Sequence, residues 1–217
     1  MAKNDHLQTA LSLIQTADLL IFDFDGTLVD SNELKWTAFE TCFDDYPNYR
    51  NQIRTYSRTK NHVLRHDKLR HICENILGET CPPEREQQLL NRYNEETTLG
   101  IIAAPEIPGA TQFLDFMFGK KHMVLLSATP HDILISLVKE RKLERYFEHI
   151  QGAPINKADW MKTYIDQSGM KHAVSIGDSK EDALSAQKIS LPFIPIGHDI
   201  PNAFPNYYNL MQPQLIP

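Results

Sequence analysis

The pattern of hydrophobic and polar positions changes character twice along the chain. Apolar side chains recur at helical spacing over residues 5–16 and predict a short amphipathic helix. The run Leu19–Phe22 is wholly apolar, which is typical of a strand buried on both faces of a parallel sheet. Only helical patterns follow over residues 30–102. The order predicts a helical module inserted after the first strand.

The inserted stretch carries three helical faces. Ser31 is the candidate N-cap of the first, Gly78 ends the second, and Pro82 and Pro83 open the third. The apolar positions of the three faces are Leu34, Phe39, Cys42, Phe43 and Tyr46; Val63, Leu64, Leu69, Ile72, Cys73, Ile76 and Leu77; and Leu89, Leu90, Tyr93 and Thr97.

Helical and strand patterns alternate after residue 107. Alternation of this kind predicts parallel strands joined by right-handed crossovers, and therefore an α/β fold. The stretch after Gly197 is rich in Pro, Asn and Tyr, and we expect it to pack irregularly over the core. The predicted helices cover residues 109–119, 130–142, 157–168 and 180–188, and the predicted strands cover residues 123–126, 149–151, 173–176 and 193–196.

Polar side chains follow the predicted strands. Asp23 and Asp25 come directly after the first strand, and Gly26 then permits a turn that a side chain would obstruct. Carboxylates at the end of a buried strand are costly unless a cation or hydrogen bonds satisfy them. Because parallel strands bring their carboxyl ends to one edge, the later polar residues are expected in the same crevice. These are Ser127, Lys157 and Asp178, and Asp182 follows Asp178 by four residues in the next turn or helix.

Each of these later residues also has an ordinary structural explanation. Ser127 can simply precede a helix, and Lys157 can be a solvated lysine at a helix start. Asp178 and Asp182 can cap the helix that follows them. Their common order and context favour a functional site.

Composition limits the partners. The 217 residues carry a net charge of −6, which argues against a general nucleic-acid or anionic-membrane surface. The three cysteines, Cys42, Cys73 and Cys81, have no metal-ligand spacing, and their odd number predicts reduced thiols. The N-terminus lacks a signal-peptide pattern, and no apolar stretch is long enough to span a bilayer. We therefore expect a cytoplasmic protein, whose oligomeric state the sequence does not indicate.

Four short motifs resemble the signatures of the haloacid dehalogenase-like superfamily, in its branch with an α-helical cap after the first strand. This branch includes phosphoglycolate phosphatases and β-phosphoglucomutases. The motifs are Asp23-Phe24-Asp25-Gly26-Thr27, Leu126-Ser127-Ala128-Thr129, Lys157, and Gly177-Asp178-Ser179-Lys180-Glu181-Asp182. The first and last are specific, whereas the serine and lysine signatures gain weight from their positions.

The resemblance implies a Rossmann-like core over residues 1–29 and 103–217 and a cap domain over residues 30–102. It also implies a Mg²⁺ ion and an aspartyl nucleophile. Asp23 would be the nucleophile and a metal ligand, with Asp178 and the backbone carbonyl of Asp25 as further ligands. Lys157 would neutralise phosphoryl charge.

The remaining roles concern proton transfer and binding. The carboxyl group of Asp25 would protonate the leaving oxygen and then accept a proton from the hydrolytic water. Asp182 would orient Lys157 or a metal-bound water, and Ser127 would donate a hydrogen bond to a phosphoryl oxygen. The other expected substrate-binding positions in the core are Gly26, Thr27, Ala128 and Thr129.

Asp25 also separates reaction classes within the superfamily. A dehalogenase needs no acid at this position, and a phosphonatase uses a cap lysine to form an imine. The second aspartate therefore favours hydrolysis of a phosphomonoester. A sugar phosphomutase keeps both aspartates and stays an alternative, as does a catalytically idle binding protein, although no signature carboxylate is lost.

The predicted cap is most cationic over residues 58–71. A solvated helix face is the ordinary explanation for such a stretch. Arg65 and Lys68 lie three residues apart, however, so that a helix would present both on one side. They resemble an Arg-x-x-Lys segment in relatives from surface-polysaccharide sugar pathways. We therefore expect them to bind substrate, and we expect the substrate to be a small phosphorylated metabolite such as a sugar or sugar-acid phosphate.

Overall fold

A computed structural model describes residues 2–60 and 63–211, with side chains from residue 5 onward in the first helix. The chain forms two compact units, Met1–Asp30 with Pro105–Pro217, and Ser31–Ala104. These bounds differ by one or two residues from those expected from the sequence.

A five-stranded parallel sheet forms the centre of the first unit. Its order is β3-β2-β1-β4-β5, with β1 in the middle. This topology confirms the predicted α/β class with a Rossmann-like parallel sheet. The strands are β1 (Leu19–Phe22), β2 (His122–Pro130), β3 (His149–Ala153), β4 (Ala173–Gly177) and β5 (Phe193–Pro195).

Nine α-helices occur in the described part of the chain. They are α1 (Ala2–Thr16); then, in the second unit, α2 (Asn32–Thr41), α3 (Arg50–Thr59), α4 (Arg65–His71) and α5 (Pro83–Ala103); then α6 (Ala110–Met117), α7 (His131–Glu140), α8 (Lys157–Ser168) and α9 (Lys180–Lys188) in the first unit. No helix among the described residues is both long and apolar enough to cross a membrane.

Both faces of β1 are covered, which explains its uninterrupted apolar sequence. Leu19 and Ile21 pack into a cluster with Met161 of α8. On the other face, the Phe22 ring makes edge contacts with the rings of Phe113 and Phe147. A strand buried on both sides cannot hold charge within its length, so the first carboxylates appear where it ends.

One feature of the first unit differs from the sequence-based expectation. Strand β2 continues to Pro130 instead of ending at Leu126, with an irregular register between these residues. The stretch after Gly197 packs irregularly over the core as expected, with Phe204 bridged to Ile196 and Tyr207 fully buried. Residues 212–217 of that stretch lie outside the described residues.

The second unit has its own apolar core. Most of the predicted face positions are buried or packed against this core. Leu64 is an exception, because it is 52% exposed and occupies the N-cap position before α4 instead of a helical face. Ser31 occupies the N-cap position of α2 without a side-chain capping bond to the helix. The predicted second helix consists of α4 continued by a π-helical segment, Ile72–Ile76, and Gly78 follows at φ +70°.

Helix α3 has no counterpart among the elements predicted from the sequence. Its ten residues are mostly polar, and only Ile53 and Ser57 are buried. Its two apolar residues, Ile53 and Tyr56, have the spacing of one helical face, but they stand in a strongly polar stretch that the sequence reasoning did not assign to a helix. Both residues pack into or against the core of the second unit, which stabilises the helix.

Lys68 is buried in the core of the second unit and is 4% exposed. Its ammonium group donates a hydrogen bond to the Ser57 carbonyl oxygen at 3.1 Å and lies 5.0 Å from the centre of the Phe39 ring. No carboxylate forms an ion pair with it among the residues that the structure describes. Burial, assisted by the charge of Lys35, lowers its pKa to about 8.

We expect Lys68→Met to stabilise the protein at neutral pH. The pKa of Lys68 falls from 10.5 to about 8 on folding, so burial of its charge lowers the free energy of unfolding by the full amount below pH 8. This loss decreases as the pH rises and is gone above pH 10.5. The gain in unfolding free energy at pH 7 should therefore reach up to about 3 kcal/mol, because each tenfold change in a protonation constant is worth about 1.4 kcal/mol. Urea unfolding at pH 7 and pH 10 measures this difference.

Arg70→Met is the matched control on the same helix, since Arg70 is exposed and paired with Glu86. It should change stability by less than about 1 kcal/mol, the usual value for a surface ion pair. A Lys68→Met protein less stable than wild type at pH 7 would contradict the explanation.

Candidate active site

The polar residues that follow the strands of the first unit lie together at the carboxyl edge of the sheet. Asp23 continues β1, and its backbone N–H donates to the Ile176 carbonyl oxygen of β4 at 2.9 Å. Gly26 then turns the chain at φ +75°, with its N–H bonded to the Val29 carbonyl. The turn keeps Asp23 and Asp25 at the strand end, where both are buried.

Lys157 joins two of the carboxylates. As the first residue of α8, it places its Nζ 2.7 Å from Oδ1 of Asp23 and 2.6 Å from Oδ1 of Asp182. Burial opposes the charge of Lys157, but Asp182 and Asp23 outweigh that effect, so its pKa is raised above the usual value. The side chain is therefore a fixed, fully charged cation.

Asp182 is held by a capping box at the start of α9. Its Oδ2 accepts hydrogen bonds from the backbone N–H and hydroxyl of Ser179, while the Ser179 hydroxyl accepts from the Asp182 N–H at 3.1 Å. Gly177 is needed beside it, because a Cβ there would lie 2.7 Å from the Asp182 Cβ. Asp182 therefore caps a helix and orients Lys157 with the same carboxylate.

Asp178 lies beside the first motif, beyond the end of β4. The Thr27 hydroxyl is 3.4 Å from Asp178 Oδ1, a long hydrogen bond between buried groups. The sequence motif predicted Thr27 as a substrate-binding residue, and the structure directs its side chain towards a carboxylate.

Tyr207 is a member of this region that the sequence reasoning missed. Its ring packs 5.0 Å from that of Phe113, and its hydroxyl donates to the Thr27 carbonyl oxygen at 3.1 Å. Burial raises its pKa well above 10, so the hydroxyl stays a donor. Only the aromatic content of the C-terminal stretch could have suggested it, and that signal has no fixed spacing to the motifs.

The end of β2 contributes the second signature. Ser127 and Thr129 are buried, whereas Ala128 between them is exposed. The Thr129 hydroxyl donates to Oδ2 of Asp25 at 2.7 Å, and the Thr129 N–H donates to the Ser127 hydroxyl oxygen at 3.1 Å. Because that oxygen accepts the N–H, the Ser127 hydrogen can be directed to another acceptor.

Arg65 and Lys68 belong to the second unit and are engaged there. The Arg65 guanidinium donates to Asn94 Oδ1 at 2.6 Å and lies 5.5 Å from the centre of the Tyr93 ring. Residues 61 and 62 of the same cationic stretch lie outside the described residues. The expected substrate contacts of Arg65 and Lys68 stay predictions.

Comparison with known proteins agrees with this arrangement. The family model for haloacid dehalogenase-like hydrolases matches residues 20–196 of the 217. The chain belongs to this family. It is therefore an enzyme of the hydrolase type, and the matched range contains all four signatures.

Solved structures share the fold of this haloacid dehalogenase-like hydrolase at low sequence identity. A haloacid dehalogenase-like hydrolase from Bacteroides fragilis is 18% identical, with 87% of this chain and 92% of that chain covered and a TM-score of 0.68. A protein assigned as a phosphoglycolate phosphatase from Haemophilus somnus is 14% identical, with coverages of 82% and 84% and a TM-score of 0.68.

A third similar structure is a protein assigned as a β-phosphoglucomutase from Thermotoga maritima. It is 18% identical, with coverages of 87% and 89% and a TM-score of 0.65. No curated protein sequence matches the chain significantly. These likenesses establish the fold, and the choice of substrate is a separate question.

Enzymes of the haloacid dehalogenase-like family generally hold a metal ion, and the residues at this edge fit one. Asp23, Asp178 and Asp182 each offer a carboxylate oxygen within 4.8 Å of the others. Asp25 is buried next to Asp23 in the chain, and the ion pairs of Lys157 reach only Asp23 and Asp182 among the described residues. Hard divalent cations prefer such oxygen ligands, and a cation would offset the excess negative charge.

The electrostatics of Asp23 support the same conclusion. Burial raises its pKa to about 7; Lys157 counteracts this effect, and the neighbouring carboxylates Asp182 and Asp25 add to it. Lys157 alone therefore does not compensate the charge in this site. A further positive charge would favour the ionised form of Asp23.

Proposed function

We propose that this haloacid dehalogenase-like enzyme is a magnesium-dependent phosphatase. It would hydrolyse a small phosphomonoester, such as a sugar or sugar-acid phosphate, through an aspartyl-phosphate intermediate. The observation that carries the proposal is the buried carboxylate Asp23 held 2.7 Å from Lys157 beside a second carboxylate, Asp25. Asp23 would act as the nucleophile, Lys157 as the charge-neutralising cation and Asp25 as the acid–base group. The two aspartates lie in the turn after β1, and Lys157 begins α8.

The first chemical step uses Asp23 and Asp25. A carboxylate oxygen of Asp23 attacks phosphorus while the bond from phosphorus to the ester oxygen breaks. Asp25 in its protonated form gives its proton to the leaving oxygen, which departs as an alcohol. Lys157 and the Ser127 hydroxyl stabilise the charge on the phosphoryl oxygens during transfer.

The second step restores the enzyme. Asp25 is now ionised and takes a proton from the water that attacks the phosphorus of the aspartyl phosphate. The bond between Asp23 and phosphorus breaks, and inorganic phosphate is released. Mg²⁺, with Asp23, Asp178 and the Asp25 carbonyl as proposed ligands, would supply the remaining positive charge.

A screen of phosphorylated metabolites tests this function. Purified protein with Mg²⁺ should release inorganic phosphate from at least one sugar or sugar-acid phosphate. An isomerised sugar phosphate without phosphate release would instead identify a phosphomutase. Absence of turnover across the panel, with binding of a phosphorylated compound retained, would identify a binding protein.

Recognition of a second anionic group on the substrate is proposed for Arg65 and Lys68. Arginine can hold a carboxylate or phosphate in two places, and lysine adds a point charge. The burial of Lys68 without a carboxylate in ion-pair contact among the described residues supports this role. A buried ammonium is costly to folding unless an anion offsets its charge.

We expect Arg65→Ala and Lys68→Ala each to lower kcat/KM on the metabolite selected by the screen by about ten- to a hundredfold, because charged hydrogen bonds are worth about 1.5–3 kcal/mol. Activity on nitrophenyl phosphate, which has no second anion, should change little. Equal losses on both substrates would mean that these residues support the fold of the second unit. Arg70→Ala, an exposed cation of the same helix, serves as the control.

A further inference from the structure

The Thr129 hydroxyl forms a hydrogen bond between two motifs of the active site that are distant in sequence. Thr129 at the end of β2 donates to Oδ2 of Asp25 at 2.7 Å, and both side chains are buried. The two residues are 104 positions apart in the sequence. Because both groups are buried and the hydrogen bond is short, the contact restrains the carboxyl group of Asp25.

Thr129 is itself fixed from two sides. Its N–H donates to the Ser127 hydroxyl oxygen at 3.1 Å. Its carbonyl oxygen packs against Gly152 of β3 so closely that a Cβ on Gly152 would lie 2.5 Å away. A strand residue whose backbone is held within its own strand and packs closely against the neighbouring strand is a more rigid support than a loop residue.

The contact also bears on the role expected for Thr129 from the sequence. A threonine hydroxyl has one hydrogen to donate, and here Asp25 accepts it. The same group therefore cannot donate to a phosphoryl oxygen while this bond is present. A role in substrate binding alone would not account for the hydrogen bond from the Thr129 hydroxyl to Asp25.

We propose that Thr129 is a positioning residue that holds the Asp25 carboxyl group in one orientation for both proton transfers. This inference rests on the proposed acid–base role of Asp25. Proton transfer requires the carboxyl oxygen to stay within hydrogen-bond reach of both the leaving oxygen and the attacking water. Loss of the Thr129 hydroxyl would remove one restraint on the Asp25 carboxyl group and lower the share of its side-chain conformations that are productive.

A double-mutant cycle with nitrophenyl phosphate tests the coupling. Thr129→Val, which preserves the shape, should lower kcat by about ten- to a hundredfold with KM changed by less than about threefold. Thr129→Ser should restore kcat to within about threefold of wild type, because it returns the hydroxyl. In the Asp25→Asn background, Thr129→Val should cause less than about a threefold further loss of kcat.

Several results would overturn the proposal. They are a normal kcat for Thr129→Val, an equal loss in both backgrounds, or a raised KM at unchanged kcat, which would identify a substrate contact. Thr129→Ala provides a second variant if the valine protein does not fold, and thermal unfolding of each variant with and without Mg²⁺ reports folding and metal binding. Full activity of Asp25→Asn alone would refute the acid–base assignment itself, which is a separate outcome.

Discussion

Replacing Asp23 with Asn should abolish phosphate release while leaving the protein folded. The amide keeps the shape of the side chain but removes the attacking carboxylate, so the loss should be roughly five to six powers of ten in kcat, as for nucleophile removal in covalent hydrolases. Exhaustive chelation of divalent cations should likewise stop turnover in wild type, and added Mg²⁺ should restore it. Both effects are measured as inorganic phosphate released over time.

Two controls separate this loss from damage to the fold. Asp18→Asn makes the same change just before the other end of β1, where the side chain is exposed, and should leave turnover unchanged. Because burial raises the pKa of Asp23 to about 7, its charge is costly to the folded, metal-free protein. The Asp23→Asn protein should therefore unfold at a temperature no lower than wild type. An Asn variant that kept a substantial fraction of its activity would refute the covalent mechanism.

Asp25→Asn should slow turnover by roughly 10²–10⁴-fold, the usual contribution of a positioned acid–base group. The backbone carbonyl is unchanged, so metal binding should persist. Nitrophenol is a good leaving group and needs little protonation, so formation of the aspartyl phosphate should suffer less than its hydrolysis. Rapid mixing should then show a burst of nitrophenol close to one equivalent, followed by slow release.

Asp23→Asn is the matched control for the burst, because it has no nucleophile and should show neither phase. Acid quenching during the slow phase should recover phosphate bound to Asp25→Asn protein and not to Asp23→Asn protein. Steady-state turnover of Asp25→Asn equal to wild type would exclude the proton-transfer role.

Much of the first unit could be predicted because its elements satisfy strong local rules. The run Leu19–Phe22 has no polar residue, so only a strand covered on both faces accommodates it. The alternation of helices and strands after residue 107 predicts a parallel sheet. Parallel strands bring Asp23 and Asp178 to the same edge. The strand pattern therefore predicted that these two residues lie at the same edge of the sheet, although they are far apart in sequence.

Helix α3 and the position of Tyr207 are two features that the local sequence pattern did not predict. Helix α3 packs Ile53 against residues of other helices, and its strongly polar sequence offers only Ile53 and Tyr56 as apolar positions to indicate that face. Tyr207 reaches Thr27 across 180 positions, a distance that only the folded chain closes. Tertiary packing decides both cases, because the stabilising partners lie outside any local window.

In the active site, too, some features follow from the sequence and others only from the tertiary structure. The residue types and their order are read directly from the sequence. The sequence also determined the edge at which they meet, because its strand pattern and connectivity predict parallel strands with their carboxyl ends together. The tertiary structure alone decided the bonding: Lys157 between Asp23 and Asp182, Thr129 on Asp25, and Lys68 buried in the second unit. Such contacts depend on side-chain directions and ångström distances between separate elements, which spacing along a chain does not encode.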